Sequence, residues 1–184
     1  AWASEFKRIF GRASGGLTHG YHLDDAETVV VALGSVLGTI KDTVDEMREQ
    51  GHKIGVLGIT CFRPWPSVAV RNALQRAKRV VVLEKSLAVG MGGIVGNNVS
   101  ASFSGSPDRV HTVIAGLGGR SITRGSLRRV FEQALADSLE PLTFLDLDRA
   151  LVDRVLERER VQRRSGPIAE GILKDLGVVA AKLG

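Results

Sequence analysis

Cysteine is almost absent from this chain, and its scarcity limits the chemistry available. Cys61 is the single cysteine among 184 residues, so neither an intrachain disulfide nor a cage of several thiolates can form. This cysteine content is typical of a reducing compartment, and we expect a cytoplasmic location. The four histidines have none of the spacings typical of metal sites, so no metal ligand is predicted. They are His19, His22, His52 and His111.

Long apolar runs and aromatic residues are also scarce. The longest nearly apolar run, residues 29–40, contains Gly, Ser and Thr and is too short to span a bilayer. Aromatic residues make up 5% of the chain, and the arginines of residues 149–164 alternate with acids, which favours a solvated or subunit-facing helix over a nucleic-acid surface. We therefore expect neither a membrane nor a nucleic-acid partner.

The usual signatures of catalysis are missing as well. The sequence contains no paired carboxylates and no Gly-x-Ser-x-Gly elbow. Cys61 has no base beside it in the sequence that would activate a thiolate. No catalytic residue is predicted.

Four repeats of a β-branched strand followed by a helix are present. The predicted strands are residues 28–33, 54–60, 80–83 and 110–115, and the predicted helices are residues 36–51, 66–77, 94–103 and one capped by Thr123. Strands that are apolar on both faces and alternate with helices predict an α/β fold, with a parallel sheet covered by helices on each side. We divide the chain into a lead-in linker (1–25), an α/β domain (26–139) and a helical extension (140–184), with helices predicted over 144–164 and 168–183. The extension packs either on its own domain or on a neighbouring subunit.

Candidate binding residues follow the strands, because ligands of open α/β sheets lie at the carboxyl ends of the strands. Gly34 and Ser35 open a helix, where backbone N–H groups can hold an anion. Gly118, Gly119 and Arg120 form a similar loop that carries a guanidinium. The alternatives are a tight turn for the first pair and a flexible surface loop for the second.

Glu84 ends the third predicted strand, and its role has two interpretations. It can accept hydrogen bonds from the N–H groups of Gly92 and Gly93, or it can act as a buried acid that moves protons. The sequence does not choose between them.

Four segments in this order resemble the second domain of the α subunit of 2-oxoacid:ferredoxin oxidoreductases, the pyruvate:ferredoxin oxidoreductase family. They read DAETVVVALGS (25–35), CFRPWP (61–66), VVVLE (80–84) with GMGG (90–93), and GLGGR (116–120). The resemblance covers roughly residues 5–138, and a more distant one is to the C-terminal domain of transketolase-like thiamine enzymes. It implies a three-layer α/β/α sandwich with a mostly parallel, five-stranded sheet.

The resemblance also implies a function. Enzymes of this family oxidatively decarboxylate a 2-oxoacid such as pyruvate to an acyl-CoA on thiamine diphosphate and pass electrons through iron–sulfur clusters to ferredoxin. In the family, thiamine diphosphate with its Mg²⁺ and the clusters are held by other domains or subunits. This chain is then a structural and assembly domain that binds no cofactor alone, and its partners are the other subunits. The alternatives are a free-standing nucleotide- or coenzyme A-binding module and a β subunit domain of a pyruvate dehydrogenase-type complex.

Overall fold

A mostly parallel sheet forms the centre of the fold. The computed structural model describes residues 2–12, 15–103 and 109–161. Within them the strands are β1 (Thr18–Tyr21), β2 (Thr28–Ala32), β3 (Ile54–Ile59), β4 (Arg79–Glu84), β5 (Val110–Ile114) and β6 (Leu142–Phe144). They lie in the order β1-β3-β2-β4-β5-β6. The edge strand β1 pairs with β3 in antiparallel fashion, and the other neighbours pair in parallel.

Four helices follow strands as the repeated pattern predicts. The helices are α1 (Trp2–Phe10), α2 (Val36–Glu49), α3 (Ser67–Leu74), α4 (Ile94–Ser102), α5 (Arg124–Leu135) and α6 (Arg149–Val161). Helix α1, by contrast, lies in the segment interpreted as a lead-in linker. The hydroxyl of Thr123 accepts a hydrogen bond of 3.1 Å from the backbone N–H of Ser126, so the predicted N-cap of α5 is confirmed. A side-chain oxygen at this position satisfies one of the unpaired N–H groups that begin every helix.

Strand β2 is buried on both faces and divides the core into two clusters. Val30 points to one face and belongs to the cluster that includes Ile40 of α2 and Phe131 of α5. Val31 points to the other face and belongs to the cluster that includes Leu74 of α3. Alternate side chains of a strand lie on opposite faces of its sheet, so each face requires its own layer of helices. The predicted three-layer α/β/α architecture is confirmed.

The sheet has two strands that the pattern did not reveal. Four strands were predicted from the residues and five from the resemblance, whereas the described residues form six. Strand β1 lies in the segment interpreted as a lead-in linker, and β6 lies in the segment interpreted as a helical extension. Both are edge strands of four and three residues, too short to show an alternating apolar pattern. The predicted domain, residues 26–139, therefore leaves out both edges of the sheet.

The C-terminal part of the chain begins later than predicted. The first compact unit ends at Asp146, and the second begins at Leu147. Helix α6 begins at Arg149, five residues after the predicted start at Phe144, because Leu142–Phe144 pair with β5 instead. The predicted helix over residues 168–183 lies outside the described residues.

A charge introduced into β2 should unfold the protein. Val30 has no solvent exposure, so Val30→Asp would bury a carboxylate without a partner, and we expect a loss of at least about 4 kcal/mol in the free energy of unfolding. Val68 of α3 is 68% exposed, and the matched change Val68→Asp should alter stability by less than about 0.5 kcal/mol. Urea denaturation followed by circular dichroism would measure both. Equal stability of the two variants would contradict the two-sided burial of β2.

Candidate functional site

The order of the strands reverses between β2 and β4. From β2 the chain passes through α2 to β3 on one side, whereas from β4 it passes through α4 to β5 on the other side. Two loops that leave the sheet in opposite directions open a crevice at the carboxyl ends of the strands, and open α/β proteins bind ligands there. This point of reversal is the candidate site.

A cavity of about 470 Å³ lies at the point of reversal. This volume falls within the range of pockets that hold small molecules or side chains of a partner. Most of its wall is apolar, and the polar side chains in it are two serines, Glu84 and Lys85. The lining residues are Leu33, Gly34, Ser35, Val36, Phe62, Leu83, Glu84, Lys85, Ser86, Ile94, Val95 and Ile122.

Glu84 holds the first turn of α4 against the end of β4. Its side chain is buried, with the residue only 7% exposed, and its two carboxylate oxygens each accept a backbone N–H, from Val95 and from Gly96, both at 2.9 Å. The capping interpretation is therefore favoured, although the donors lie in α4 itself and are not Gly92 and Gly93. A carboxylate at this end of a helix also interacts favourably with the helix dipole.

Gly93 is required by this arrangement. A Cβ atom at this position would collide with the Glu84 carboxylate and with the methyl group of Thr112. The glycine therefore allows the start of α4 to approach β4 and β5 closely, which is one of the uses of glycine next to a buried charge.

Gly34 and Ser35 lie where the sequence placed them, at the start of α2 and in the wall of the cavity. Gly34 has a φ of +82°, a conformation that favours glycine. Ser35 is the N-cap residue but makes no side-chain capping bond, and the first turn of α2 has no acidic residue. Leu37 and Gly38 already donate their N–H groups to the carbonyls of Gly34 and Ser35, both at 3.3 Å, so the N–H groups that precede them are the ones that could hold an anion.

The second predicted binding loop, Gly118, Gly119 and Arg120, lies outside the cavity. None of them is among the residues that line the cavity, and the two glycines turn the loop after β5 with φ values of +65° and +80°. The Arg120 guanidinium donates a hydrogen bond of 2.9 Å to the backbone carbonyl of Asp146. Within this chain, Arg120 ties the β5–α5 loop to the residues that follow β6.

The cavity also includes residues that sequence analysis did not select. Lys85 directly follows β4. The rule that ligands lie at the carboxyl ends of strands could therefore have identified Lys85, as it identified Glu84. Ile122 lies beyond the glycine-rich loop and carried no comparable signal. Among the described residues, no three His, Cys, Asp or Glu side chains come together as a metal site would require, and no helix is long and apolar enough to cross a bilayer.

Removal of the Glu84 carboxylate should destabilise the fold. Glu84→Ala would leave the N–H groups of Val95 and Gly96 without an acceptor, and we expect a loss of about 2–4 kcal/mol in the free energy of unfolding. The exposed neighbour offers a control, since Lys85→Ala should cost less than about 0.5 kcal/mol. Both are measurable by urea denaturation. An unchanged stability of Glu84→Ala would show that the carboxylate is not a structural cap and would return it to the candidates for proton transfer.

The sequence of this chain is similar to those of known proteins from one family. The family model described as "Pyruvate:ferredoxin oxidoreductase core domain II" matches residues 26–127. Pyruvate synthase subunit PorA of Methanosarcina barkeri is 40% identical over 159 residues, which cover 83% of this chain and 40% of that protein. The PorA subunit of Pyrococcus horikoshii is 36% identical over 81% of this chain and 39% of its own length. The ketoisovalerate oxidoreductase subunit VorA of Pyrococcus abyssi is 30% identical over 70% of this chain and 33% of its own length.

A solved structure shares the fold. The 2-oxoglutarate:ferredoxin oxidoreductase from Magnetococcus marinus, with 2-oxoglutarate, coenzyme A and succinyl-CoA bound, matches with a TM-score of 0.55 and 16% identity over 70% of this chain and 21% of that one. The chain spans about two fifths of the length of the PorA relatives named above. The resemblance carried by the four ordered segments is confirmed: the chain belongs to the pyruvate:ferredoxin oxidoreductase family, within its core domain II.

Proposed function

We propose that this chain is a structural and assembly domain of the α subunit of a thiamine diphosphate-dependent 2-oxoacid:ferredoxin oxidoreductase. The match of core domain II to residues 26–127 carries the proposal. The curated relatives named pyruvate synthase subunit PorA, at 36–40% identity in the two cases above, support pyruvate as the 2-oxoacid. In the assembled enzyme the 2-oxoacid is decarboxylated to an acyl-CoA, and the electrons pass to ferredoxin. A cytoplasmic location is part of the proposal.

The candidate site supports a role in assembly. Its buried acid, Glu84, has each carboxylate oxygen engaged by a backbone N–H of α4, and the rest of the wall is mainly apolar. A general acid or base must reach the proton that it transfers, whereas this carboxylate stabilises a helix. We therefore assign the chemistry of the enzyme to other polypeptides.

The cofactors of such an enzyme do not fit the residues of this chain. An iron–sulfur cluster is ligated by several cysteines, and Cys61 is the only one present. Mg²⁺ at a thiamine diphosphate prefers carboxylate and carbonyl oxygens, and among the described residues that line the cavity the only carboxylate is the one that caps α4. We propose that partner subunits hold thiamine diphosphate, Mg²⁺ and the clusters, and that coenzyme A and ferredoxin act on the complex.

Purification of the tagged full chain from its native cells tests this proposal. We expect it to co-purify with polypeptides that bind thiamine diphosphate and with others that show the visible absorption of iron–sulfur clusters. The complex should reduce ferredoxin when given pyruvate and coenzyme A, and the chain alone should not. Elution as a lone monomer without such partners would refute the proposal.

A free-standing module that binds a nucleotide or coenzyme A is a second candidate. The observation in its favour is the uncapped first turn of α2 at Gly34 and Ser35, in the wall of the cavity. Gly118, Gly119 and Arg120 would have to bind separately, since they do not line the cavity. Family membership argues against the third alternative, a pyruvate dehydrogenase-type β subunit domain.

Calorimetry separates the two candidates. Under the assembly proposal, titration of the isolated chain with coenzyme A or ATP should give no heat of binding at millimolar ligand. Saturable heat that disappears in a Ser35→Pro variant, which removes a backbone N–H at the start of α2, would favour the binding module. The melting temperature of that variant controls for loss of the fold.

A further inference from the structure

Exposed apolar side chains occur in the wall of the cavity and in the loop that leaves it. The loop of residues 85–93 joins β4 to α4 and begins with two residues that line the cavity, Lys85 and Ser86. Its side chains Val89 and Met91 are 100% and 68% exposed. Leu33 and Ile94, in the wall itself, are also partly exposed to solvent. Contiguous exposed apolar residues of this kind mark interaction surfaces.

Hydrogen bonds hold this loop in one conformation. The backbone N–H and carbonyl groups of Ala88 and Gly92 bond to each other in both directions, at 2.8 Å. The side-chain amide of Asn97, in α4, donates to the carbonyl of Met91 at 2.6 Å. Val89 and Met91 lie in the loop that these bonds close, and both are exposed, although burial of each would be favourable by about 1.5–3 kcal/mol.

The charges beside the cavity are positive. Lys85 lines the cavity, and the guanidinium of Arg63 stacks on the ring of Phe62, another lining residue, at 4.1 Å. Neither cation forms an ion pair with any residue that the structure describes. The negative charge of Glu84 is directed to the N–H groups of α4. A partner for this face should thus present acidic groups around an apolar centre.

The shape of the face favours a protein over a small molecule. A ligand that fills a cavity of about 470 Å³ would leave the projecting tip at Val89 in water, whereas a protein surface can fill the recess and cover the tip together. About three fifths of the length of the PorA relatives lies beyond the part that matches this chain. In a subunit of that length, this additional polypeptide is available to cover an exposed face of the domain that the two proteins share.

We propose that residues 85–93 and the cavity mouth form the docking face for the part of the α subunit that this chain does not span. The partner surface inserts an apolar side chain into the cavity, encloses Val89 and Met91, and pairs acidic groups with Lys85 and Arg63. This inference rests on the proposed function, and it adds the location of the contact and the chemistry of the partner.

Binding measurements on surface variants test the docking face. The tagged full chain is immobilised, and the partner polypeptides obtained by co-purification are titrated over it by surface plasmon resonance. Val89→Asp and Met91→Asp should each weaken binding at least tenfold with unchanged melting temperatures, because both side chains are exposed in the free chain. Lys85→Glu should weaken binding at low ionic strength, with a smaller effect at about 1 M salt. Leu142→Asp, on β6 and 40% exposed in the wild type, is the control and should bind within twofold of it.

The outcomes distinguish this inference from the proposed function. If the complex forms and the two loop variants bind as the wild type does, the docking face is refuted and the assembly role stands. If the wild-type chain binds no partner polypeptide, the proposed function fails and the docking face fails with it. A chain that is dimeric in sedimentation velocity, and becomes monomeric through Val89→Asp, would show that a second copy covers this face and would overturn the proposed occupant.

Discussion

The carboxylate of Glu84 bonded to the start of α4 is the interaction on which the candidate site depends. Glu84 is the last residue of β4, so its two hydrogen bonds to Val95 and Gly96 connect the carboxyl edge of the sheet to the helix that leaves it. They also fix both ends of the intervening loop, residues 85–93. A buried charge is tolerated here because the polar hydrogens of a helix N-terminus replace its hydration.

The central strands were predictable because burial on both faces restricts their composition. Strand β2 consists of Thr28 followed by three valines and an alanine, a combination that suits a pleated surface covered on each side. The edge strands β1 and β6 are not buried on both faces, so burial does not restrict their composition in this way. Strand β1 holds its place through backbone pairing with β3, at registers such as Thr18 with Ile59. Backbone hydrogen bonds leave no trace in residue type, so neither β1 nor β6 could be inferred from the pattern.

The ends of the predicted strands located some of the candidate site residues in the fold, whereas the binding roles of these residues stay predictions. Gly34, Ser35 and Glu84 follow directly from the position of strand ends, and all three line the cavity. Arg120 was interpreted as a possible anion ligand because its nearest protein partner was invisible in the sequence. That partner is the carbonyl of Asp146, a backbone atom just beyond the unrecognised strand β6. The position of Asp146 could therefore not be inferred from the sequence, and the binding role of Arg120 stays a prediction.

Preorganisation gives the loop of residues 85–93 a physical advantage as a contact surface. A flexible loop loses conformational entropy when it docks, and immobilising each side chain costs roughly 0.5–1.5 kcal/mol. Here the Ala88–Gly92 pairing and the bond from Asn97 have already fixed the backbone, so most of the free energy from burying Val89 and Met91 is available for association. Glu84 and Arg120 bond to groups of the chain itself, whereas Val89 and Met91 are exposed. Under the proposed function, such a division suits a domain whose contribution is to hold other domains in place.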